Sequence, residues 1–477
     1  MSQSTTLYWI RRDFRLQDNA ALNAAILSGN AVLPVFLWEE ESESTDWGMG
    51  SASRWWLHRA LEEASAAWHG RGGQLVIRSS RDPLETLLEL CKQSRASRVV
   101  WNRRYEADLR GLDAQVKRGL REAGICAESY QDALLVEPHS VGTGDGKPYK
   151  VYTPFWKACQ NREPETPINV PLDKLRLAHT SIKSAPIESL HLLPKHTWYK
   201  KLDTCWRVGE TAGLELMRAF LRERVPLYDQ RRDLPGDNGT SRLSPYLHWG
   251  HVGPRTVAYA LKQAQDINER GPLVYLKELY WREFAYNVLY HFPHTPTEPL
   301  RPEFKDFPWQ ADETVLQHWQ LGETGYPIVD AGMRELYATG WMHNRVRMVV
   351  ASFLVKHLLQ PWQDGARWFW DTLVDADLAS NTLGWQWSAG CGADAAPYFR
   401  IFNPILQSRK FDADGRYLKR WLPELESLPA EYLHAPWETP NAILQSAGIR
   451  IGKDYPGPMI DHSKGRARAL EAFDRFK

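Results

Sequence analysis

The stretch TLYWIRRDFRLQDN, residues 6–19, sets the expectation for the N-terminal fold. It begins with an apolar, aromatic run that is typical of a buried strand. Similar runs follow at residues 31–38, 74–80 and 97–104, and stretches with helical periodicity separate them. Strands that alternate with helices predict an α/β domain, a parallel sheet with helices on both of its faces. The loop over residues 10–19 contains no glycine, so the glycine-rich fingerprint of dinucleotide-binding folds is absent.

The sequence changes character twice after this α/β pattern. An irregular segment rich in Pro, Lys and Thr comes first and predicts a long surface connector. Helical periodicity then dominates to the last residue. We therefore expect an α/β domain over residues 1–133, a linker over 134–205 and an all-α domain over 206–477.

Composition narrows the class of protein. The 477 residues are enough for two domains, and the formal net charge is +1, so a nucleic acid would have to bind a local basic patch. The five cysteines form no CxxC pair, which argues against a zinc site or a disulfide framework. No apolar leader precedes the first charges, and Lys356 interrupts the longest apolar run. We expect a reduced, cytoplasmic protein without a signal peptide or a membrane span.

Two motifs in the helical part could bind a ligand. GTSRLSPYLHWG, residues 239–250, places hydroxyls, backbone amides and the Arg242 guanidinium just before a helical pattern. That chemistry suits a phosphate, and an ordinary Ser/Thr helix cap explains it equally well. The motif KELYWREF brings Glu278, Trp281 and Arg282 to one helix face. This face is either a solvated salt bridge beside a core tryptophan or the floor of a pocket that stacks a base and bonds its edge.

A third motif, LVDADLASNTLGWQW, covers residues 373–387. Asp375 and Asp377 could bind a metal or transfer protons, but no histidines stand at ligand spacing. Neutralisation of the two carboxylates by an arginine is the simpler interpretation. The motif also holds two of the 22 tryptophans in the chain, most of which we expect in the core.

The stretch GWMHNRVRM, residues 340–348, leads into an apolar run. On a helix, Arg345 and Arg347 are about 200° apart, so one can face the interior and the other solvent or a polyanion. Asn344 and Met348 share a face that could line a pocket for a flat, polar-edged group. The alternative is a helix terminus whose polar residues are solvated.

Together these motifs resemble those of the photolyase/cryptochrome family. TSRLSPYLHWG, ELYWREF, TGYPIVDAGMRELYATGWMHNRVRM, DADLASNTLGWQW and RIFNP occur in the order of that family, and the match runs from RRDFRLQDN to YPGPMIDH. The resemblance implies an N-terminal α/β domain, a long linker and an all-α domain that binds FAD. It also implies light-driven repair of cyclobutane pyrimidine dimers, by electron transfer from photoexcited reduced FAD to a dimer flipped out of the DNA. This is the activity of a carbon–carbon lyase, and the alternative is a blue-light photoreceptor, a cryptochrome, without repair activity.

The resemblance assigns roles to individual residues. Positions that match those around FAD are Tyr228, Thr240, Ser241, Arg242, Leu243, Ser244, Arg282, Arg347, Asp375, Asp377 and Asn381. Positions that match the groups contacting the lesion are Glu278, Trp281, Asn344, Met348 and Trp387. The electron relay to oxidised flavin matches Trp385, Trp362 and Trp309. No metal ligand is implied.

DNA contacts are expected from Arg345 and from the basic segment 407–420, above all from Arg409 and Lys410. Such a segment is either a solvated charged surface or a patch that binds phosphates. We expect a monomer that binds DNA containing pyrimidine dimers and no membrane.

Finer comparison within the family points to one branch. Photolyases for (6–4) photoproducts carry histidines where this chain has Asn344 and Met348, so the dimer is the expected lesion. Plant cryptochromes usually carry aspartate where this chain has Asn381, and signalling members add a long C-terminal tail, whereas this chain stops soon after YPGPMIDH. From both differences we expect repair. GSASRWWLH, VVWNRRYE and PYKVYTPFWKAC look most like the class III branch of bacterial photolyases. That branch uses a methenyltetrahydrofolate antenna, which we expect ahead of a deazaflavin or a second flavin.

Overall fold

The computed structural model describes residues 4–39, 47–160, 162, 165–179, 181–264, 266 and 269–476. The chain forms two compact units. The first unit comprises residues 1–226, 241–293 and 374–377, and the second comprises residues 227–240, 294–373 and 378–477. This division into units does not follow the expected domain limits at residues 133 and 205. Those domain limits stay a prediction.

The predicted parallel sheet is confirmed in the first unit. Its strands are β1 Thr5–Ile10, β2 Ala31–Glu39, β3 Val76–Ser80, β4 Ala96–Asn102 and β5 Cys126–Tyr130. They lie in the order β3-β2-β1-β4-β5, and every neighbouring pair is parallel. All six residues of β1 are buried, as is usual for the central strand of a parallel sheet covered on both faces.

Alternate side chains of β1 pack on opposite faces of the sheet. The helices that follow the first four strands are α1 Ala20–Leu27, α2 Ser51–His69, α3 Pro83–Ser94 and α4 Ala107–Glu122. Leu7 and Trp9 share a buried cluster with Leu87 of α3 and Val116 of α4. Tyr8 points the other way, and its ring lies 6.3 Å from that of Trp68 in α2.

The glycine-free loop after β1 forms a network of buried hydrogen bonds. Tyr8 donates a 2.6 Å hydrogen bond to the Asp13 carboxylate. Asn19 caps α1 by accepting a hydrogen bond from the Leu22 amide. The side chains of Arg15 and Asp132 form a buried ion pair. Polar side chains therefore occupy the turn where a dinucleotide-binding fold would have glycines.

The predicted linker is only partly irregular. It contains α5 Tyr152–Cys159 and α6 Lys200–Cys205. Between them the chain runs beside the sheet, where the Val32 amide donates to the Arg176 carbonyl at 2.7 Å and the Ala178 amide donates to the Val32 carbonyl at 3.0 Å. This segment therefore packs against β2 as well as covering the surface.

Helices dominate the rest of the chain, as the periodicity predicted. Those up to residue 291 are α7 Glu210–Glu223, α8 Tyr228–Arg231, α9 Ser244–His248, α10 Pro254–Ala264 and α11 Arg270–His291. The later helices are α12 Glu313–Leu321, α13 Pro327–Thr339, α14 Asn344–Ser352, α15 Trp362–Thr372, α16 Leu378–Ala389, α17 Pro404–Phe411, α18 Arg416–Trp421, α19 Ala430–Leu433, α20 Asn441–Ala447 and α21 His462–Phe476. In the part of the chain that the structure describes, no helix has the length and apolar character needed to cross a membrane.

A lysine is buried in the core of the second unit. Lys356 lies in a short π-helix, Phe353–His357, that follows α14, and it is 2 % exposed. Its ammonium donates a 2.8 Å hydrogen bond to the Arg400 carbonyl, and none of the carboxylates described forms an ion pair with it. Burial, with a smaller contribution from the charge of Arg400, lowers the pKa of Lys356 to about 7.

This buried lysine predicts a pH-dependent stability. An unfolded lysine is protonated below about pH 10.4, whereas folding lowers the pKa of Lys356 to about 7. Folding therefore releases a proton from Lys356 between these values, and the contribution of Lys356 to the free energy of unfolding falls as the pH falls from 10 to 7. Lys356→Met should remove this dependence, so the variant should gain stability relative to the wild type as the pH is lowered over that range.

Chemical denaturation at pH 7 and pH 10 measures the effect. Lys464→Met, at an exposed position of α21, is the control and should differ from the wild type equally at both pH values. An equal change in stability between the two pH values in Lys356→Met and the wild type would contradict the prediction.

Candidate active site

Two aspartates that sequence analysis placed around a cofactor are buried in the first unit. Asp375 is 8 % exposed and Asp377 is 6 % exposed. The Asp377 carboxylate accepts a hydrogen bond from the Tyr286 hydroxyl, and its Oδ2 lies 3.5 Å from Nδ1 of His248. Burial alone would raise the pKa of Asp377, but the contacts with His248, Arg282 and Tyr286 lower it. Asp377 is therefore ionised at neutral pH.

His248 keeps no charge beside this carboxylate. Burial lowers its pKa to about 4, with a further contribution from the charge of Arg12. Tyr286 and the guanidinium of Arg282, which lies 5.0 Å from the centre of the Tyr286 ring, supply the polar environment of Asp377. The first unit thus holds the Asp377 carboxylate in a fixed orientation. A carboxylate fixed in this way can bind a ligand that carries N–H donors.

The turn before α9 has the local geometry of an anion cradle. Arg242 adopts a left-handed backbone conformation, with φ of +54°, which turns successive amides toward one side. Ser241 accepts a 3.3 Å hydrogen bond from the Leu243 amide and is hydrogen-bonded to the buried Tyr275. Leu243 is fully buried and anchors the turn, while Ser244 is exposed.

Helix α11 carries the face predicted from KELYWREF. Arg282 donates a 2.8 Å hydrogen bond to the Ala133 carbonyl and pairs with Glu283. Glu278 and Trp281 are partly exposed. The Trp281 ring is stacked on Tyr152, with centroids 3.7 Å apart and planes 8° apart.

Helix α14 in the second unit begins at Asn344, as the sequence suggested. His343 caps it by accepting the Arg345 amide at 3.2 Å. Asn344 is exposed, and Arg347 and Met348 are partly buried. Arg347 donates from Nε to the Met342 carbonyl at 2.8 Å.

The position of Arg345 differs from the expectation of a guanidinium that faces outward to phosphate. Arg345 forms a 2.9 Å ion pair with Asp233, and its guanidinium lies 4.5 Å from the centre of the Phe411 ring. Its side chain is only 20 % exposed. The pattern of α14 alone could not reveal this pairing, because Asp233 and Phe411 come from distant segments.

The two tryptophans of α16 are two positions apart on a helix, so their side chains point in different directions. Trp385 is 2 % exposed, and Trp387 is partly exposed. A Cβ atom added to Gly365 would lie 2.1 Å from Cη2 of Trp385, so the indole packs directly over the backbone of α15. Asn381, one turn earlier, donates a 3.0 Å hydrogen bond to the Ala366 carbonyl.

The other predicted relay residues also lie in the second unit. Trp362 is 1 % exposed, and Trp309 is partly exposed beside Phe307, with ring centroids 4.4 Å apart. Among the described residues, the ring contacts of Trp385 are to Phe369 and Trp319 rather than to the other two relay positions. Tyr228, expected near the cofactor, is buried at the start of α8, with the Arg232 guanidinium 5.4 Å from its ring centre.

The basic segment of α17 and α18 exposes four of its five cations, which are Arg409, Lys410, Arg416 and Arg420. Arg416 pairs with Asp414 at 2.6 Å and with Asp237 at 2.9 Å. Arg409 and Lys410 are therefore better candidates than Arg416 for binding a polyanion.

The first unit also contains a cavity of about 450 Å³. Its lining includes the indoles of Trp55 and Trp206, the guanidinium groups of Arg59 and Arg71, and the carboxylate of Glu63. A second cavity, at the carboxyl ends of β1 and β4, is only about 20 Å³, which is room for one water.

Sequence reasoning missed several side chains that shape these sites. Tyr286 follows Arg282 by one helical turn, so the spacing on α11 was a usable signal for it. His248 lies inside a quoted motif, but nothing in the sequence relates it to Asp377. Tyr152 lies in the segment interpreted as a linker, and its contact with Trp281 has no sequence signal.

Comparisons with known proteins agree with these motifs. Residues 6–172 match the family model described as DNA photolyase, and residues 275–475 match the model described as FAD binding domain of DNA photolyase. The chain is 44 % identical to a deoxyribodipyrimidine photo-lyase of Agrobacterium fabrum, over 100 % of this chain and 99 % of that protein. It is 37 % identical to cryptochrome-2 of Arabidopsis thaliana, over 99 % of this chain and 79 % of that protein. The crystal structure of a bacterial class III photolyase from Agrobacterium tumefaciens superposes with a TM-score of 0.95 at 44 % identity, over 100 % of this chain and 98 % of that one.

Proposed function

The chain belongs to the photolyase/cryptochrome family, and from this premise we propose that it repairs cyclobutane pyrimidine dimers in DNA by light-driven electron transfer. The observation that carries the proposal is the 44 % identity to a photo-lyase along the whole chain, against 37 % to a plant cryptochrome. A blue-light photoreceptor is the second candidate, and the cryptochrome match is what favours it. We further propose that the protein acts as a monomer in the cytoplasm, where it meets damaged DNA.

The residues proposed to hold FAD fit that group chemically. The left-handed turn at Arg242 combines backbone amides with hydroxyls and a guanidinium, the donors that a pyrophosphate needs. The Asp377 carboxylate can accept hydrogen bonds from ring N–H groups. The Asn381 amide nitrogen is committed to the Ala366 carbonyl, so its oxygen is oriented as an acceptor. The remaining proposed contacts are Tyr228, Thr240, Ser241, Leu243, Ser244, Arg282, Arg347 and Asp375.

FAD, when bound and reduced, supplies the electron that light drives to the lesion. The chain must hold the flipped-out dimer by aromatic walls and polar groups. In the first unit we propose that Trp281 stacks on a base and that Glu278 hydrogen-bonds to a base edge. In the second unit Asn344 hydrogen-bonds to a base edge, while Met348 and Trp387 supply apolar contacts.

We propose that a methenyltetrahydrofolate antenna occupies the cavity of about 450 Å³. Glu63 is exposed and suits the amino edge of the pterin, and the exposed Arg71 suits the glutamyl carboxylates. The cavity at the carboxyl ends of β1 and β4 is too small for any of these antennas, because arginine–carboxylate pairs fill it.

The repair proposal predicts lesion-specific photochemistry. The protein with reduced FAD, under blue light, should restore an oligonucleotide that carries one cyclobutane dimer. It should leave a (6–4) photoproduct intact, because Asn344 and Met348 cannot transfer the proton that this repair needs. Chromatography of the two oligonucleotides before and after illumination measures both reactions.

A dark incubation is the control for this assay. Repair in the dark, or repair of the (6–4) product, would contradict the proposed mechanism. Light-induced flavin chemistry without repair of either lesion would favour the photoreceptor.

The divergence of Trp385 and Trp387 predicts separable roles. Trp385→Phe should abolish light-driven reduction of oxidised flavin and leave repair by chemically reduced protein nearly intact. Trp387→Ala should keep photoreduction and weaken binding of the lesion, because a stacking wall contributes roughly 1–3 kcal/mol per base. Absorption spectroscopy and dimer repair measure the two effects, and equal loss of both activities in both variants would indicate a shared packing role instead.

The exposed cations of α17 predict a salt-dependent contact with DNA. Arg409→Ala and Lys410→Ala should each weaken the binding of damaged and undamaged DNA alike. Each should also flatten the slope of log affinity against log salt by about one unit. Arg416→Ala is the matched control, because its charge is already paired with Asp414 and Asp237. Arg345→Ala tests whether that side chain exchanges Asp233 for a phosphate. An unchanged slope in Arg409→Ala and Lys410→Ala would make this surface an ordinary solvated one.

A further inference from the structure

A residue of the predicted linker lies flat against the proposed lesion wall. Tyr152 is the first residue of α5 and is 7 % exposed. Its ring stacks on Trp281 with centroids 3.7 Å apart and planes 8° apart. At this separation neither ring can tilt without colliding with the other, so the stack fixes the plane of both rings.

Three contacts hold Tyr152 in this position. Its hydroxyl donates a 2.8 Å hydrogen bond to the carbonyl of Lys277, the residue before Glu278. Phe284 lies beside the stack in a T-shaped arrangement, with its ring centroid 5.9 Å from that of Tyr152 and 5.8 Å from that of Trp281. Asn287 of α11 donates a 3.2 Å hydrogen bond to the Tyr149 carbonyl and so ties the start of α5 to α11.

The stack leaves one side of Trp281 for a ligand. Because Tyr152 covers one face at van der Waals distance, the partial exposure of Trp281 belongs to its opposite face and its edges. A base that stacks on that face would continue a column of parallel rings begun by Tyr152. The same helix face carries Glu278, whose backbone neighbour Lys277 is the acceptor of the Tyr152 hydroxyl.

We propose that Tyr152 is a positioning residue that sets the plane of Trp281 for stacking against the flipped-out pyrimidine dimer. This inference rests on the proposed function, in which Trp281 is a wall for the lesion. Tyr152 touches no substrate in this assignment and acts through Trp281 alone. Loss of the Tyr152 ring should therefore lower discrimination between damaged and undamaged DNA without changing phosphate contacts.

The test compares binding of dimer-containing and undamaged DNA in variants of the full chain. Tyr152→Leu should weaken binding of the dimer by about three- to tenfold, the range to which an aromatic pair corresponds, and leave binding of undamaged DNA unchanged. Tyr152→Phe should behave as the wild type, because it keeps the ring. Tyr152→Met, which removes the planar ring and fills the gap with a flexible side chain, should match Tyr152→Leu and replaces it if the leucine variant does not fold.

Phe155→Leu is the matched control. Phe155 is also a buried aromatic residue of α5 and contacts Phe284, at 5.5 Å, rather than the Trp281 ring. It should lose comparable stability and keep the wild-type ratio of affinities. An equal loss of that ratio in Phe155→Leu, or an unchanged ratio in both Tyr152→Leu and Tyr152→Met, would overturn the inference.

A double-mutant cycle separates this inference from the proposed function. If Tyr152 acts through Trp281, Tyr152→Leu should have no further effect on dimer binding in a Trp281→Ala background. Additive losses would overturn the inference and leave the lesion wall in place. If Trp281→Ala itself kept full affinity for the dimer, the lesion wall of the proposed function would fail, and the positioning role would fall with it.

Discussion

Four buried charges link distant segments of the first unit. Arg15 pairs with Asp132, and Arg255 pairs with both Asp132 and Asp18, with no side chain in the cluster more than 5 % exposed. Moving such charges out of water costs several kcal/mol per ion, so they are tolerated only where every charge is bonded. Arg15 also donates to the carbonyls of Asp18 and Gly250 at 3.0 Å. Because Arg15 follows β1 and Arg255 lies in α10, the cluster joins the sheet to helices more than 200 residues later, and residues 241–293 fold in the same compact unit as the sheet.

Helix α11 is fixed to this scaffold and positions side chains of the proposed site. Arg282 donates to the Ala133 carbonyl, and the buried Glu283 carboxylate accepts the Val136 amide at 3.0 Å, so the helix is bonded to the segment after β5. With its axis and rotation set in this way, Tyr286 reaches Asp377 and Trp281 meets Tyr152. One helix thereby orients a buried anion and an aromatic platform.

In the second unit, the close approach of α15 and α16 positions side chains of the proposed site. Gly365 has no side chain, so the Trp385 indole lies against the α15 backbone, and Asn381 reaches the Ala366 carbonyl. Asn381 and Trp385 are one helical turn apart and share this interface. Trp387 is rotated away from it and retains exposure, which is why neighbouring tryptophans can be assigned different roles.

The sequence by itself determined the parallel sheet, the helical remainder, the family and most of the residues proposed for the site, because strand and helix periods and motif order are local properties. The resemblance assigned different roles to Trp385 and Trp387, and the helix α16 shows that the two side chains diverge. Only the tertiary structure decided that Arg345 pairs with Asp233, that His248 and Tyr286 surround Asp377, and that Tyr152 covers Trp281. These contacts join residues about 90 to 130 positions apart. The local periodicity of the sequence does not reveal which distant side chains will pack together.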